Sequence, residues 1–192
     1  MKFKEFHQAL SLPVFTTIQA QKIYSGGPGA LLIQLSRWTK RGELVRLKQG
    51  LYQFSDRLVD EFTLAGLLYL PSYISLETAL NNQGIIPDVS LNVTSVSPTT
   101  TKIIKTARGN FLYSKIQQAL FFGWQTVKDT NGFHYQIALP EKALLDWIYL
   151  RKIKDFTDQR ISWPELNMQK LKKFSQAYPG WVKEAVDEQF NC

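Results

Sequence analysis

Cysteine and histidine are scarce in this 192-residue chain: Cys192 stands last, and His7 and His134 lie far apart. One thiol cannot close an internal disulfide, and two isolated imidazoles cannot form a metal cluster at the usual ligand spacings. Thiol and metal chemistry are therefore excluded, and no cofactor is expected. Long apolar runs are missing too. Nothing approaches the roughly eighteen residues of a bilayer span, and the opening stretch MKFKEFHQAL interleaves charge with its apolar residues. Neither a membrane span nor a secretory leader is expected, and a cytoplasmic address follows. The chain also has no nucleophile elbow, glycine-rich phosphate loop or metal motif, so it is read as a non-enzyme with no catalytic residues.

What the chain does have is apolar bulk and positive charge. Hydrophobic residues make up 44% and aromatics 13%, enough to bury one sizeable core or two small ones. The formal net charge is +7, and it is lopsided. Residues 1–57 hold nine basic side chains against three acidic ones, which is six of the seven surplus charges. A basic surplus confined to one third of a chain points to a polyanionic partner of that third.

The same third has a readable order. Phe3, Phe6 and Leu10 recur at helical spacing until Pro13, and FTTIQAQKIY (15–24) repeats the pattern with Phe15, Ile18 and Ile23 after threonines able to cap. SGGPG (25–29) interrupts, Pro28 suits a helix start, and a third helix is predicted over about 30–41, ending at Gly42. ELVRLKQGLYQFS then alternates, with Leu44, Arg46 and Lys48 on one side and Val45 and Leu47 on the other, as a β-hairpin turning at Gly50. Three helices and a hairpin are the order of a winged helix-turn-helix, whose third helix enters the major groove.

On that third helix Leu31, Leu35 and Trp38 share one stripe, while Ile33, Gln34, Arg37, Lys40 and Arg41 face away. Arginine can pair with guanine, glutamine with adenine, and Ile33 can meet a thymine methyl. With Arg46 and Lys48 on the hairpin, these seven residues form the candidate DNA face.

Beyond residue 57 the charge is nearly balanced. A connecting helix is predicted in RLVDEFTLAGLLYLP (57–71), which contains the expected boundary between a 1–57 DNA-binding domain and a 58–192 C-terminal domain. A helix is predicted from the N-cap candidate Ser75 to Gly84, then strands over 91–116 and 120–139 with a hairpin at Asn131-Gly132, then helices in PEKALLDWIYLR, PELNMQKLKKFSQAY and PGWVKEAVDEQF. The expected fold class is α+β, a winged helix followed by a mixed α/β domain with a small antiparallel sheet. Glu77, Glu141, Lys142 and Asp146 are its obvious titratable residues. An enzyme would use them as acid, base or metal ligands, but Glu77 and Glu141 suit helix first turns and neither stands in a catalytic spacing. Lys102, Lys105 and Arg108 concentrate charge, either as a site for RNA or phosphate or as lysines guarding a sheet edge. His134 reads as structural.

Three segments, LSRWTKRGELVRLKQGLYQF, PSYISLETALNNQGIIPD and ALPEKALLDWIYLR, together resemble the AbiEi family of antitoxins from abortive-infection, type IV toxin–antitoxin systems. The turn YSGGPGALL is richer in glycine than the family pattern. The resemblance implies an N-terminal domain that binds operator DNA and represses its own operon. It also implies a C-terminal domain that opposes a nucleotidyltransferase-like toxin without a stable complex. A solitary DNA- or RNA-binding regulator with a partner-sensing C-terminal domain fits the same residues.

Overall fold

Capping residues set the first elements. In the computed structural model, which describes residues 1–156 and 159–188, the chain is mixed α+β. It divides into two compact units, one of residues 1–60 with 104–109 and one of residues 61–103 with 110–192. Cys192 and the end of the last predicted helix lie outside the described residues. Among the described residues no helix is long and apolar enough to cross a membrane.

The first unit runs α1 (Phe3–Ala9), β1 (Val14–Thr16), α2 (Thr17–Ile23), α3 (Pro28–Lys40), β2 (Leu44–Lys48) and β3 (Leu51–Phe54). Thr16 caps α2 by accepting the Gln19 N–H, and Gln19 reaches back to the Thr16 N–H, a reciprocal box that fixes the helix start. This corrects the expected phase of 15–24. Phe15 belongs to β1 and pairs with Tyr52 on β3, so α2 turns Ala20 inward and leaves Ile18 71% exposed. The glycine-rich turn ends with Gly27 as N-cap and Pro28 in the first turn of α3.

The hairpin forms with Gly50 at φ +73°, but its alternation is broken. The register slips between Arg46 and Lys48, a bulge that turns both Leu44 and Leu47 into the interior and leaves Arg46 and Lys48 exposed. Leu44 therefore does not share the basic side. The core closes over Phe6, Leu10, Phe15, Ala20, Leu31, Leu35, Trp38, Leu44, Tyr52 and Phe54.

The second unit begins with α4 (Glu61–Leu68), β4 (Tyr73–Ile74) and α5 (Leu76–Asn82). Next along the chain come β5 (Val93–Ser97), β6 (Lys102–Thr106), β7 (Gly109–Lys115), a 3-10 turn (Gln118–Leu120), β8 (Trp124–Lys128) and β9 (His134–Ala138), with residues 104–109 belonging to the first unit. Helices α6 (Pro140–Arg151), α7 (Met168–Ser175) and α8 (Gly180–Glu188) follow, with a 3-10 turn at Trp163–Glu165. The strands form a six-stranded sheet ordered β6-β7-β5-β4-β9-β8. It is mixed, which corrects the expected small antiparallel sheet: β4 pairs parallel to β9 and β5 parallel to β7, while β4–β5 and β8–β9 are antiparallel. Alternating residues look alike in either kind of ladder, so pairing direction was not in the local pattern. Helix α6 packs on α5, α7 and β9, and it buries Glu141, Lys142 and Asp146 along with Leu144, Trp147 and Ile148.

Candidate functional site

Helix α3 carries the first candidate face. Leu31, Leu35 and Trp38 are buried, whereas Ile33, Arg37 and Lys40 are exposed and Gln34 is half-buried. Ile33, Gln34, Arg37 and Lys40 thus come together on the outward side of one helix, as the spacing predicts. Arg41 follows as the C-cap, and its guanidinium is held by Glu43, with Nε and Nη2 each 2.9 Å from Oε2. Arg57 is also engaged internally: it donates to the backbone carbonyls of His7 and Leu10 at the end of α1 and lies over the Phe54 ring.

The spacing missed the aliphatic residues beside this face. Ile18 and Leu32 are exposed, and with Thr17, Gln21, Pro28 and Leu31 they line a groove of about 250 Å³ between α2 and α3. Their signal was present in the sequence, but the phase assigned to 15–24 pointed Ile18 inward.

Of the three basic residues, Lys102 belongs to the second unit and Lys105 and Arg108 to the first. Strand β6 is an edge strand, and along it Lys102 and Lys105 are three residues apart, hence on opposite faces. Lys102 lies over the Tyr69 ring at 5.4 Å, and Arg108 sits in the turn before β7. His134 is an exposed residue of β9, not a core one.

The titratable residues of α6 form a buried constellation that the sequence did not disclose. Lys142 and Asp146, one helical turn apart, are an ion pair with no exposed surface. Four donors converge on the Asp146 carboxylate. Lys142 Nζ and Tyr178 OH (2.7 Å) donate to Oδ1, and Tyr73 OH (2.9 Å) and Ser75 Oγ (2.9 Å) donate to Oδ2. The ammonium also donates to Tyr178 OH at 2.7 Å and lies within 5.5 Å of the ring centroids of Tyr73, Phe122 and Tyr178. Gly123, at φ +76°, lets the backbone pass over this side chain: a Cβ there would stand 3.0 Å from Lys142 Cγ.

Ser75 is the N-cap of α5 by backbone position, but its hydroxyl serves Asp146, not the helix end. Glu77 does more than fill a first turn. It takes two bonds from Arg151 (2.6 and 2.9 Å) and one from Trp147 Nε1 (3.1 Å). Burial opposes its charge, yet these donors hold its carboxyl below the usual glutamate range. Glu141 accepts the Asn167 N–H at 2.9 Å.

Burial first, and the Asp146 charge second, push the Tyr73 and Tyr178 hydroxyls far above their ordinary value, and burial does the same for Tyr113. Burial lowers Lys142, with Asp146 opposing. For the raised tyrosines the sign is fixed: the folded state keeps protons that the unfolded chain gives up, so stability present below pH about 10 is lost above it. Lys142 works in the other direction but is one group against three. The tyrosinate absorbance of Tyr73, Tyr113 and Tyr178, the last part to appear as pH rises, is therefore expected to grow only together with loss of the circular dichroism signal. Full tyrosine ionisation in a folded chain would contradict these placements.

The Lys142–Asp146 pair is enclosed, and its bonds hold α6 to β4 and to the residues after α7. No protein-family model matches this chain, and no curated protein matches it.

Proposed function

We propose that the chain is the antitoxin and transcriptional repressor of a type IV toxin–antitoxin operon of the AbiEi kind. In this reading the first unit is a winged helix-turn-helix that binds operator DNA, and the second opposes a nucleotidyltransferase-like toxin without a lasting complex and without catalysis of its own. One observation carries the DNA part. Helix α3 buries Leu31, Leu35 and Trp38 while presenting Ile33, Gln34, Arg37 and Lys40 outward, a face with bidentate, amide and methyl chemistry for base edges. The element order and the exposed Arg46 and Lys48 on the bulged hairpin support it, since a wing needs cations on its solvent side to reach phosphates. The antitoxin part rests on the three resembling segments.

The Glu43 ion pair separates two roles within the face. Arg37→Ala is expected to relax sequence preference and cost about 1–3 kcal/mol of operator affinity if Arg37 pairs with guanine. Lys48→Ala is expected to weaken all duplexes alike and to reduce the salt slope by about one. Arg41→Ala, which removes a side chain already neutralised by Glu43, is expected to change less than Arg37→Ala. Fluorescence anisotropy with operator and random duplexes at several salt concentrations reads all three. Equal affinity for both duplexes in the unaltered protein, or no loss on replacing Arg37 and Lys40 together, would remove the repressor assignment. Co-expression with the gene downstream tests the antitoxin role by growth, and a chain that binds its operator but rescues no growth is a solitary regulator.

A further inference from the structure

A second groove, of about 240 Å³, lies wholly in the C-terminal unit between the end of β7 and the end of α6, lined by Lys115, Ile116, Gln117, Tyr149, Leu150 and Lys152. We propose that it binds one nucleotide unit, a phosphate beside a stackable base, presented by single-stranded RNA or by a free nucleotide. The proposal is independent of operator binding by α3.

Charge is the first reason. The guanidinium groups and the buried ammonium of the unit are paired, Arg151 with Glu77, Arg160 with Asp88 and Lys142 with Asp146, whereas most of its exposed lysines are not, and Lys115 and Lys152 are two of these that stand on one concavity. Lys115 and Lys152 are exposed and have no carboxylate partner among the described residues. Two unneutralised ammonium groups on one concavity make a phosphate site.

Backbone strain is the second. Lys152 caps α6 at φ +60° and ψ +36°, the left-handed region that glycine occupies more easily at this position. The chain carries a lysine there at a conformational cost, and strain of this kind gathers at working sites. The carbonyl end of α6 is unfavourable to an anion, but the Ile148 carbonyl is already taken by the N–H groups of Lys152 and Ile153, and the two lysines supply the opposing charge.

The remaining lining gives the base a place. The Tyr149 ring is fixed by stacking on Trp181 (6.3 Å, 24°) and by an edge contact with Tyr178 (5.8 Å). Gln117 Nε2 donates to Tyr149 OH at 3.3 Å, which leaves the Tyr149 proton as donor and the Gln117 carbonyl as acceptor, both on the groove. A fixed ring, one donor and one acceptor suit an unstacked base, as single-strand sites do. The groove, at about 240 Å³, is too small to take a duplex and can hold only part of a single strand or nucleotide.

The test uses the full chain and a labelled single-stranded RNA of about ten nucleotides, followed by anisotropy across salt, with operator duplex in parallel. Lys152→Gly is expected to weaken RNA binding about tenfold and to flatten the salt slope by about 0.7, the value for one phosphate contact on a single strand. Because glycine relieves the left-handed strain, the same variant is expected to unfold at a higher temperature, so lost affinity cannot be lost fold. Lys115→Gln gives the same slope change without touching the strained position, and neither variant should alter duplex affinity. Displacement of the RNA by millimolar adenosine or uridine monophosphate shows that a free nucleotide suffices to fill the groove, and persistence of the complex shows that the site requires the strand. RNA binding that is absent from the unaltered protein, or unchanged in the Lys115→Gln, Lys152→Gly double variant, overturns the proposal and leaves the operator reading intact.

Discussion

Asp146→Ala is expected to cost the C-terminal unit about 3–5 kcal/mol, the range for removing one member of a buried ion pair. The loss follows from what is left behind. Lys142, with no exposed surface, would keep Tyr178 and three ring faces but no counter-charge, and the hydroxyls of Tyr73 and Ser75 would lose their common acceptor. An ammonium can then only lose its proton or draw in water, and either response gives up stability. The pair itself need not be favourable compared with apolar residues of the same size. A Lys142→Met, Asp146→Leu double variant is accordingly expected to be more stable than Asp146→Ala although it carries one more substitution. Urea unfolding followed by circular dichroism measures both. A loss below about 1 kcal/mol in the single variant would mean that water already reaches Lys142 and that the enclosure described for α6 is incorrect.

That constellation also shows where sequence reading stops. The bounds of α6 were legible, because Pro140 opens it and PEKALLDWIYLR holds a helical apolar pattern, and the structure places it over Pro140–Arg151. The spacing of Lys142 and Asp146 was visible as well. Their burial was not, since it depends on Tyr73, Ser75 and Tyr178, which lie more than thirty residues away along the chain. Polar residues on a helix read as a solvated face unless something distant covers them, and here α5, α7 and α8 do. Sheet pairing failed for the same reason. Strands are legible over 91–116 and 120–139, the second broken at Asn131-Gly132, but β4 is two residues long and no local signal sets it parallel to β9.

In the first unit the misreadings were local. One cap at Thr16 and one bulge at Arg46–Lys48 shifted the phase of Ile18 and Leu44 and left the α3 stripe as predicted. The nucleotide groove was invisible beforehand because Lys115 and Lys152 are ordinary lysines until the fold puts them on one concavity.

The second large effect is expected from Trp38→Ala, about 3–5 kcal/mol, the cost of emptying a large aromatic site. Trp38 has no exposed surface, stacks on Phe6 at 4.8 Å, and meets Phe3 and Tyr24 edge-on at 5.5 and 6.5 Å. Its indole N–H has no acceptor among the described residues, so truncation removes packing and no hydrogen bond. A unit of roughly 60 residues has about 3–9 kcal/mol in all at 0.05–0.15 kcal/mol per residue, so the substitution is expected to unfold the first unit and abolish operator binding with it. Trp38→Phe, which keeps a ring against Phe6, is expected to retain both. The contrast with Arg37→Ala is what gives the measurement its force. Both variants lose operator affinity, but Arg37→Ala keeps the circular dichroism and melting of the unaltered protein, because its side chain is exposed. Should Trp38→Ala stay folded and still lose DNA, the indole would be a DNA contact, α3 would be rotated from the phase described, and Leu31 and Leu35 could not both face the core.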